Sequence, residues 1–124
     1  MLNKPEELRD RTKHFAIRIV KLFKSLPRTD EARIIGKQVM RSGTSIAANY
    51  RAVCRARSHA DFVAKLGVVV EEADETVFWL EMLVDTGIVR KALMENLLKE
   101  ANELLAIFAA SHWTARRKRK SLRE

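Results

Sequence analysis

The chain has 124 residues, of which 47 % are apolar and 32 % charged, with only four glycines, two prolines and one cysteine. This size fits one domain with a modest core, and the scarcity of glycine and proline favours helices over a β-sandwich or β-barrel. Cys54, being alone, excludes an internal disulfide, and no apolar run reaches the roughly 18 residues of a membrane-spanning helix. We therefore predict an all-α, soluble protein. Because the Met1 start also lacks a secretory signal, we expect it to be cytoplasmic.

The formal net charge of +8 is concentrated near the C-terminus. Residues 1–115 contain 18 Lys and Arg against 15 Asp and Glu, whereas residues 116–124 contain six basic residues and one acidic residue. A compact basic segment on a nearly balanced body favours a polyanionic partner, with solubility as the alternative. The sequence therefore divides into a bundle domain, residues 1–115, and a basic C-terminal tail, residues 116–124.

Two amphipathic helices are predicted in the first half of the chain. The first runs from about Pro5 to Ser25, because apolar residues recur there at three- and four-residue spacing and Pro27 follows. The second begins after Thr29 or Asp30, either of which can cap its free N–H groups, and runs to about Arg57.

Two more helices are predicted in the second half. Ser58, with Asp61 three residues later, resembles a capping box and begins a third helix that ends at about Asp85, before a Thr86-Gly87 stop. The fourth helix extends to about Trp113, where the basic run follows. Short connections favour antiparallel neighbours, so we predict an up-down-up-down four-helix bundle.

Small and polar residues interrupt the apolar stripe of the second helix within Gln38–Ala52. We interpret Ser42, Ser45 and Asn49 as structural groups whose hydrogen bonds cross the bundle and fix the helix register. Gly36 and Gly43 lie inside the same helix at a propensity cost of up to about 1 kcal/mol each. Such a cost is tolerated where another helix must come close.

Together with Asp61–Val84, the segment Gln38–Ala52 resembles the four-helix-bundle proteins encoded in intervening sequences of bacterial 23S rRNA genes. The chain is similar, more distantly, to the accessory variability proteins of diversity-generating retroelements. The resemblance extends from about Phe15 to about Leu105 and implies a ring-shaped homo-oligomer, often a pentamer. Tyr50, Arg51 and Ala52 stand where many relatives have a Glu-Gly type ending, so no functional acid is carried over to that position.

The chain has more apolar residues than one bundle core requires. We predict that Phe78, Trp79 and Leu83 belong to an interface between copies of the chain, since exposed apolar patches commonly mark interaction sites. Scattered surface hydrophobic residues are the alternative interpretation.

No pattern of catalytic or metal-binding residues is evident. Acidic residues cluster at positions 71–75, but none of the three histidines has Glu three residues before it, as a di-iron bundle requires. The third helix, with net charge −6, and the span 29–57, with net charge +4, instead predict charge pairing between neighbouring helices. Cys54 has no histidine at helical spacing and is expected to be a packed thiol. We predict no enzyme activity, no cofactor and no metal.

Basic residues provide the one site hypothesis. Cations recur along one side of the first helix, and with the tail they could follow a phosphate backbone. The predicted nucleic-acid-binding residues are Arg11, Arg18, Lys21, Arg28, Arg116, Arg117, Lys118, Arg119, Lys120 and Arg123. RNA is preferred to DNA only because of the family resemblance. The alternatives are a solvated helix face and a protein-interaction scaffold, for example an accessory subunit of a reverse transcriptase.

Overall fold

The computed structural model describes the backbone of residues 5–123 and the side chains of residues 5–118. Within this part the chain forms four helices and no strand, which confirms the all-α prediction. The helices are α1 (Pro5–Ser25), α2 (Asp30–Val53), α3 (His59–Asp85) and α4 (Lys91–Arg123). Among these helices none is long and apolar enough to cross a membrane.

Side-chain caps begin α2 and α3 where the sequence predicts them. The Thr29 hydroxyl accepts a hydrogen bond from the N–H of Ala32 at 3.3 Å, and the Ser58 hydroxyl accepts one from Asp61 at 3.0 Å. Each bond satisfies an N–H group that has no partner within its helix. After α3, Gly87 takes a positive φ of 77°, which favours glycine and explains the stop.

Two helix ends differ from the prediction. α2 ends at Val53 rather than at about Arg57, because the N–H of Arg57 donates to the Asp61 carboxylate at 3.1 Å and thereby joins the cap of α3. α4 continues to Arg123 rather than stopping at about Trp113. Its last turns contain no glycine or proline, and Arg and Lys combine high helix propensity with a charge that suits a helix C-terminus.

Contacts between successive helices run in opposite residue order. Gly36 of α2 lies against Phe23 of α1, and Gly43, two turns later, lies against the earlier residue Ile19. The residue numbers therefore rise on α2 as they fall on α1, so the two helices are antiparallel.

The α3–α4 pair shows the same relation. Gly67 of α3 lies against His112 of α4, while the Nε2 atom of His59, at the start of α3, lies 2.9 Å from the carbonyl oxygen of Ala115. The predicted antiparallel four-helix bundle is thus supported by the residue order of the contacts.

All four helices contribute to one core. Its fully buried large side chains interlock along the bundle axis. They include Phe15, Ile19, Val39, Ile46, Leu66, Leu80, Leu83, Met94, Leu104 and Phe108. The rings of Tyr50 and Phe108 lie 5.2 Å apart and tilted by 45°, which joins the end of α2 to α4.

Replacing a glycine by alanine should have opposite effects on stability at two positions. A Cβ atom at Gly43 would lie 2.8 Å from Cγ1 of the buried Ile19, so Gly43→Ala should lower the free energy of unfolding by about 1 kcal/mol or more despite the gain in helix propensity. At Gly67 the nearest atom, at 3.1 Å, is Nε2 of the movable His112 ring, so Gly67→Ala should be neutral or stabilising by up to about 1 kcal/mol. Urea unfolding of both variants measures the contrast, and equal effects would argue against a tight α1–α2 approach.

Candidate nucleic-acid interface

Arg11 is used to hold α1 against α4. Its Nε and Nη2 atoms donate to both carboxylate oxygens of Glu100 at 2.8 and 2.7 Å, and Nη2 also donates to Glu103 at 2.9 Å. The hydrogen bonds from Arg11 hold the pKa of Glu100 below its usual value, so the carboxylate stays ionised as its partner. A charge neutralised in this way contributes little to attracting phosphate.

The other cations of the α1 stripe are not gathered with the C-terminal basic segment. Arg18 donates to the side-chain oxygen of Asn96 on α4 at 2.6 Å, whereas Lys21 and Arg28 are exposed. Because α1 and α4 are antiparallel, Lys21 and Arg28 lie towards the opposite end of the bundle from Arg116. At about 1.5 Å per helical residue, the bundle's length separates the two groups.

Cations from α1 and from around the end of α2 instead lie together at one end of the bundle, and those of the span 29–57 had been predicted to pair with α3. The antiparallel arrangement brings together the start of α1, the end of α2, the start of α3 and the end of α4. A hollow lined by Pro5, Tyr50 and Ser58, among others, joins the first three. The contact of His59 with Ala115 adds the fourth. We call this region the basic end.

Arg51 and Arg55 occupy the centre of the basic end, Arg51 on the last turn of α2 and Arg55 in the turn that follows it. Ala48, Arg51 and Arg55 form a ridge shared by two open grooves. The groove towards α1, of about 530 Å³, also holds Arg9 and Lys13.

The groove towards α3 has a volume of about 680 Å³ and adds Arg57, Asp61 and Lys65. Lys65 pairs with Asp61 at 2.8 Å, and this hydrogen bond is the main reason that the pKa of Asp61 is lowered. Ala48 and Ala52 lie between the cations. The small side chains leave room for a ligand backbone to approach the guanidinium groups.

Five cations of the basic end have no ion-pair partner among the side chains of residues 5–118. They are Arg9, Lys13, Arg51, Arg55 and Arg57, and all five are exposed. Unlike Arg11, they keep a charge that a polyanion can neutralise.

The C-terminal part of α4 extends this surface. Ala115 is buried at 7 % exposure, and beyond it Arg116, Arg117 and Lys118 are all exposed. The guanidinium of Arg117 lies 4.5 Å from the ring centroid of Trp113, which is 58 % exposed. The predicted binding residues Arg119, Lys120 and Arg123 have side chains outside the described part of the structure.

The sequence contained one signal for the basic end. Arg51 and Arg55 are four residues apart and so share one face of the second helix as predicted to about Arg57. In an up-down-up-down bundle, the ends of the second and fourth helices lie together. The two observations together point to this surface.

The small polar residues of α2 bond differently from the prediction. The hydroxyls of Ser42 and Ser45 donate to the carbonyls of Gln38 and Arg41 at 2.9 and 2.6 Å, and the Asn49 amide donates to Ser45 at 2.8 Å. All three bonds remain within α2, because a short polar side chain readily reaches the carbonyl four residues earlier. The prediction of hydrogen bonds across the bundle was therefore wrong.

Charge pairing between α2 and α3 is confirmed at Arg41. Its guanidinium pairs with Glu72 at 3.2 Å and also with Glu75. The hydrogen bond from Arg41 is the main cause that lowers the pKa of Glu75.

The predicted interface residues have different environments. Phe78 is 51 % exposed and packs edge-on against Trp79, with ring centroids 4.9 Å apart. Trp79 is half-buried and donates to Glu75 at 3.3 Å. Leu83 is fully buried in the core of its own bundle, so its assignment to a surface between copies was wrong.

Cys54 is exposed, and the prediction of a packed thiol was wrong, because α2 ends just before it. It lines both hollows on the α1 side of the basic end. Within the described residues, no three His, Cys, Asp or Glu side chains lie close enough to hold a metal ion.

These features define the class of protein: an antiparallel four-helix bundle with a basic end and a helical basic extension. The profile of the family described as 23S rRNA-intervening sequence protein matches residues 6–110. The chain belongs to this family.

A solved structure supports the same assignment. The crystal structure of a protein of unknown function from the S23 ribosomal protein family of Bacteroides thetaiotaomicron is similar, with 35 % sequence identity and a TM-score of 0.81. The similarity covers 89 % of this chain and 98 % of that chain. No curated protein matches the chain significantly.

Proposed function

We propose that the protein is a non-enzymatic, homo-oligomeric helical bundle that binds nucleic acid, with RNA preferred, through its basic end. The observation that carries the proposal is a group of exposed cations, on α1 and around the end of α2, that have no ion-pair partner among the described side chains. Arg51 and Arg55 are its centre, and Arg116, Arg117 and Lys118 extend it. The cytoplasm is the expected compartment.

Phosphate contacts account for this mode of binding. Each phosphate neutralised by Arg or Lys releases condensed counterions, which favours association without reading the sequence. No base-reading motif is visible in the chain, so recognition is expected to be directed mainly at the backbone. The preference for RNA rests on the family, whose name refers to intervening sequences of 23S rRNA.

Self-association would multiply the charged surface. Phe78, at 51 % exposure on the outer side of α3, supports an interface that would exclude this ring from water. A pentamer is the subunit number that the family resemblance implies. In a closed ring, identical basic ends would be repeated around one axis. A monomeric mass by light scattering would contradict this part of the proposal.

Filter binding at several salt concentrations tests nucleic-acid binding. If six phosphates are contacted, the logarithm of the affinity for single-stranded RNA should fall with the logarithm of salt with a slope of about −4, and for duplex DNA of about −5. Deletion of residues 116–124 should lower both the affinity and the slope. An affinity that responds to neither salt nor the deletion would contradict the proposal.

The second candidate function is a protein-interaction scaffold, such as an accessory subunit of a reverse transcriptase. Exposed apolar side chains outside the basic end favour it, namely Ile34, Val68, Phe78 and Leu93. Under this alternative, Phe78→Ala would abolish partner binding, whereas charge changes at Arg51 and Arg55 would not.

A further inference from the structure

Trp113 combines large exposure with a position beside the basic extension of α4. Its side chain is 58 % exposed, although a tryptophan that leaves water would contribute substantial hydrophobic free energy. It lies on the side of α4 away from the buried Ala115, one turn before Arg117. A single exposed hydrophobic residue is ordinary by itself. Trp113 differs from such a residue because its ring lies against a cation.

Arg117 orients the indole. Its guanidinium carbon lies 4.5 Å from the ring centroid, which is within the range of a cation–π contact. The contact restricts the rotation of both side chains. A ring already held in place loses less conformational entropy when a flat group stacks on it.

We infer that Trp113 is a stacking site for an unpaired base, so that the nucleic acid bound at the basic end contains a single-stranded segment. This inference rests on the proposed function and specifies its ligand. Exposed aromatic rings beside cations are the combination that binds single strands, because the ring stacks on a base while Arg and Lys neutralise the backbone. Bases inside a duplex are already stacked and do not offer a free face.

The second tryptophan does not provide such a site. Trp79 is half-buried, packs against Phe78 and donates its indole N–H to Glu75. In the variant Trp79→Phe, Trp113 is therefore the sole tryptophan fluorophore. Its fluorescence should be quenched when an oligouridylate binds and should change little when a blunt RNA duplex of the same length binds.

Affinity measurements complete the test. Trp113→Ala should weaken oligouridylate binding by roughly five- to 150-fold, the range for loss of one base stack, and leave duplex binding unchanged. Trp113→Phe should retain part of the affinity. The matched control is Leu93→Ala, which changes an apolar residue that is 68 % exposed, 20 positions earlier on α4.

Three outcomes distinguish failure of the stacking inference from failure of the proposed function. If the wild type binds oligouridylate in a salt-dependent manner and Trp113→Ala binds it as tightly as Leu93→Ala does, only the stacking inference is overturned. Equal weakening on oligouridylate and duplex would overturn it as well. If the wild type binds neither RNA, the proposed function itself fails, and the inference fails with it.

Discussion

Reversing the charges of Arg51 and Arg55 together should weaken binding of single-stranded RNA by about 25-fold or more at 0.1 M salt. Each phosphate contact adds about 0.7 to the slope of log affinity against log salt for a single strand. Over the tenfold change from 1 M to 0.1 M salt, one contact therefore raises the affinity about fivefold. Two lost contacts multiply to about 25-fold, and the new glutamates also repel phosphate. The slope of the salt dependence should fall by about 1.4 units.

A second double variant provides the matched control. Lys21→Glu with Arg28→Glu changes the net charge by the same amount, at exposed positions on α1 and in the α1–α2 connection that lie towards the other end of the bundle. Its effect should be limited to weak long-range repulsion, which salt screens over about 10 Å at 0.1 M. If the control weakens binding as strongly as Arg51→Glu with Arg55→Glu does, the basic end is not the binding surface. Urea unfolding of both variants would exclude a loss of fold as the cause.

Phe108→Ala should lower the free energy of unfolding by about 3–5 kcal/mol, the range for removing a buried phenylalanine. Phe108 is 0 % exposed and lies 5.2 Å from the Tyr50 ring, where α4 meets the end of α2. The substitution removes both burial and the aromatic contact and leaves a cavity. Against a typical total of about 5–15 kcal/mol, this is a large fraction of the stability.

The exposed Phe78 is the control for this change. Phe78→Ala removes the same atoms from a side chain that is 51 % exposed in the single chain, and at a protein concentration low enough to keep the chain monomeric it should cost far less. The midpoint of urea unfolding should therefore shift strongly for Phe108→Ala, while the slope with denaturant stays constant. Equal shifts in the two variants would contradict the packing of α4 on α2.

The exposed Cys54 lies at the basic end, in a hollow that it lines together with Tyr50. Burial raises the pKa of the nearby Tyr50 hydroxyl, which therefore stays protonated at neutral pH. Tyr50 and Cys54 line the same hollow beside Arg9. Glu6 also lines this hollow, so it contains one carboxylate as well as one guanidinium.

Local sequence signals determined the helices and most of their limits. Apolar residues at three- and four-residue spacing identified α1, and the hydroxyls of Thr29 and Ser58 marked the starts of α2 and α3, because these effects act within one helical turn. The end of α2 was missed because the N–H of Arg57 is bound by Asp61, a residue of the next helix. The end of α4 was missed because its run of cations was taken for a tail.

The sequence predicted which helices would attract each other by charge, but not which residues would form ion pairs. The opposite charges of α2 and α3 predicted that they pair, and Arg41 does pair with Glu72. The sequence could not show that Arg11 would be neutralised by Glu100, 89 positions away, whereas Arg51 and Arg55 would have no ion-pair partner among the side chains of residues 5–118. The same residue type therefore had different roles that composition and spacing could not distinguish.

The sequence by itself determined an all-α bundle, its caps, the close approach at Gly36 and Gly43 and the excess of positive charge, since each depends on local propensity or on composition. The tertiary structure alone decided which cations remain available and which apolar residues are exposed. In the packed bundle Leu83 is buried and Phe78 is exposed, and Arg9 and Arg51 line one groove. The physical reason is that ion pairing and burial depend on distances between helices, which are fixed only when the four helices pack together.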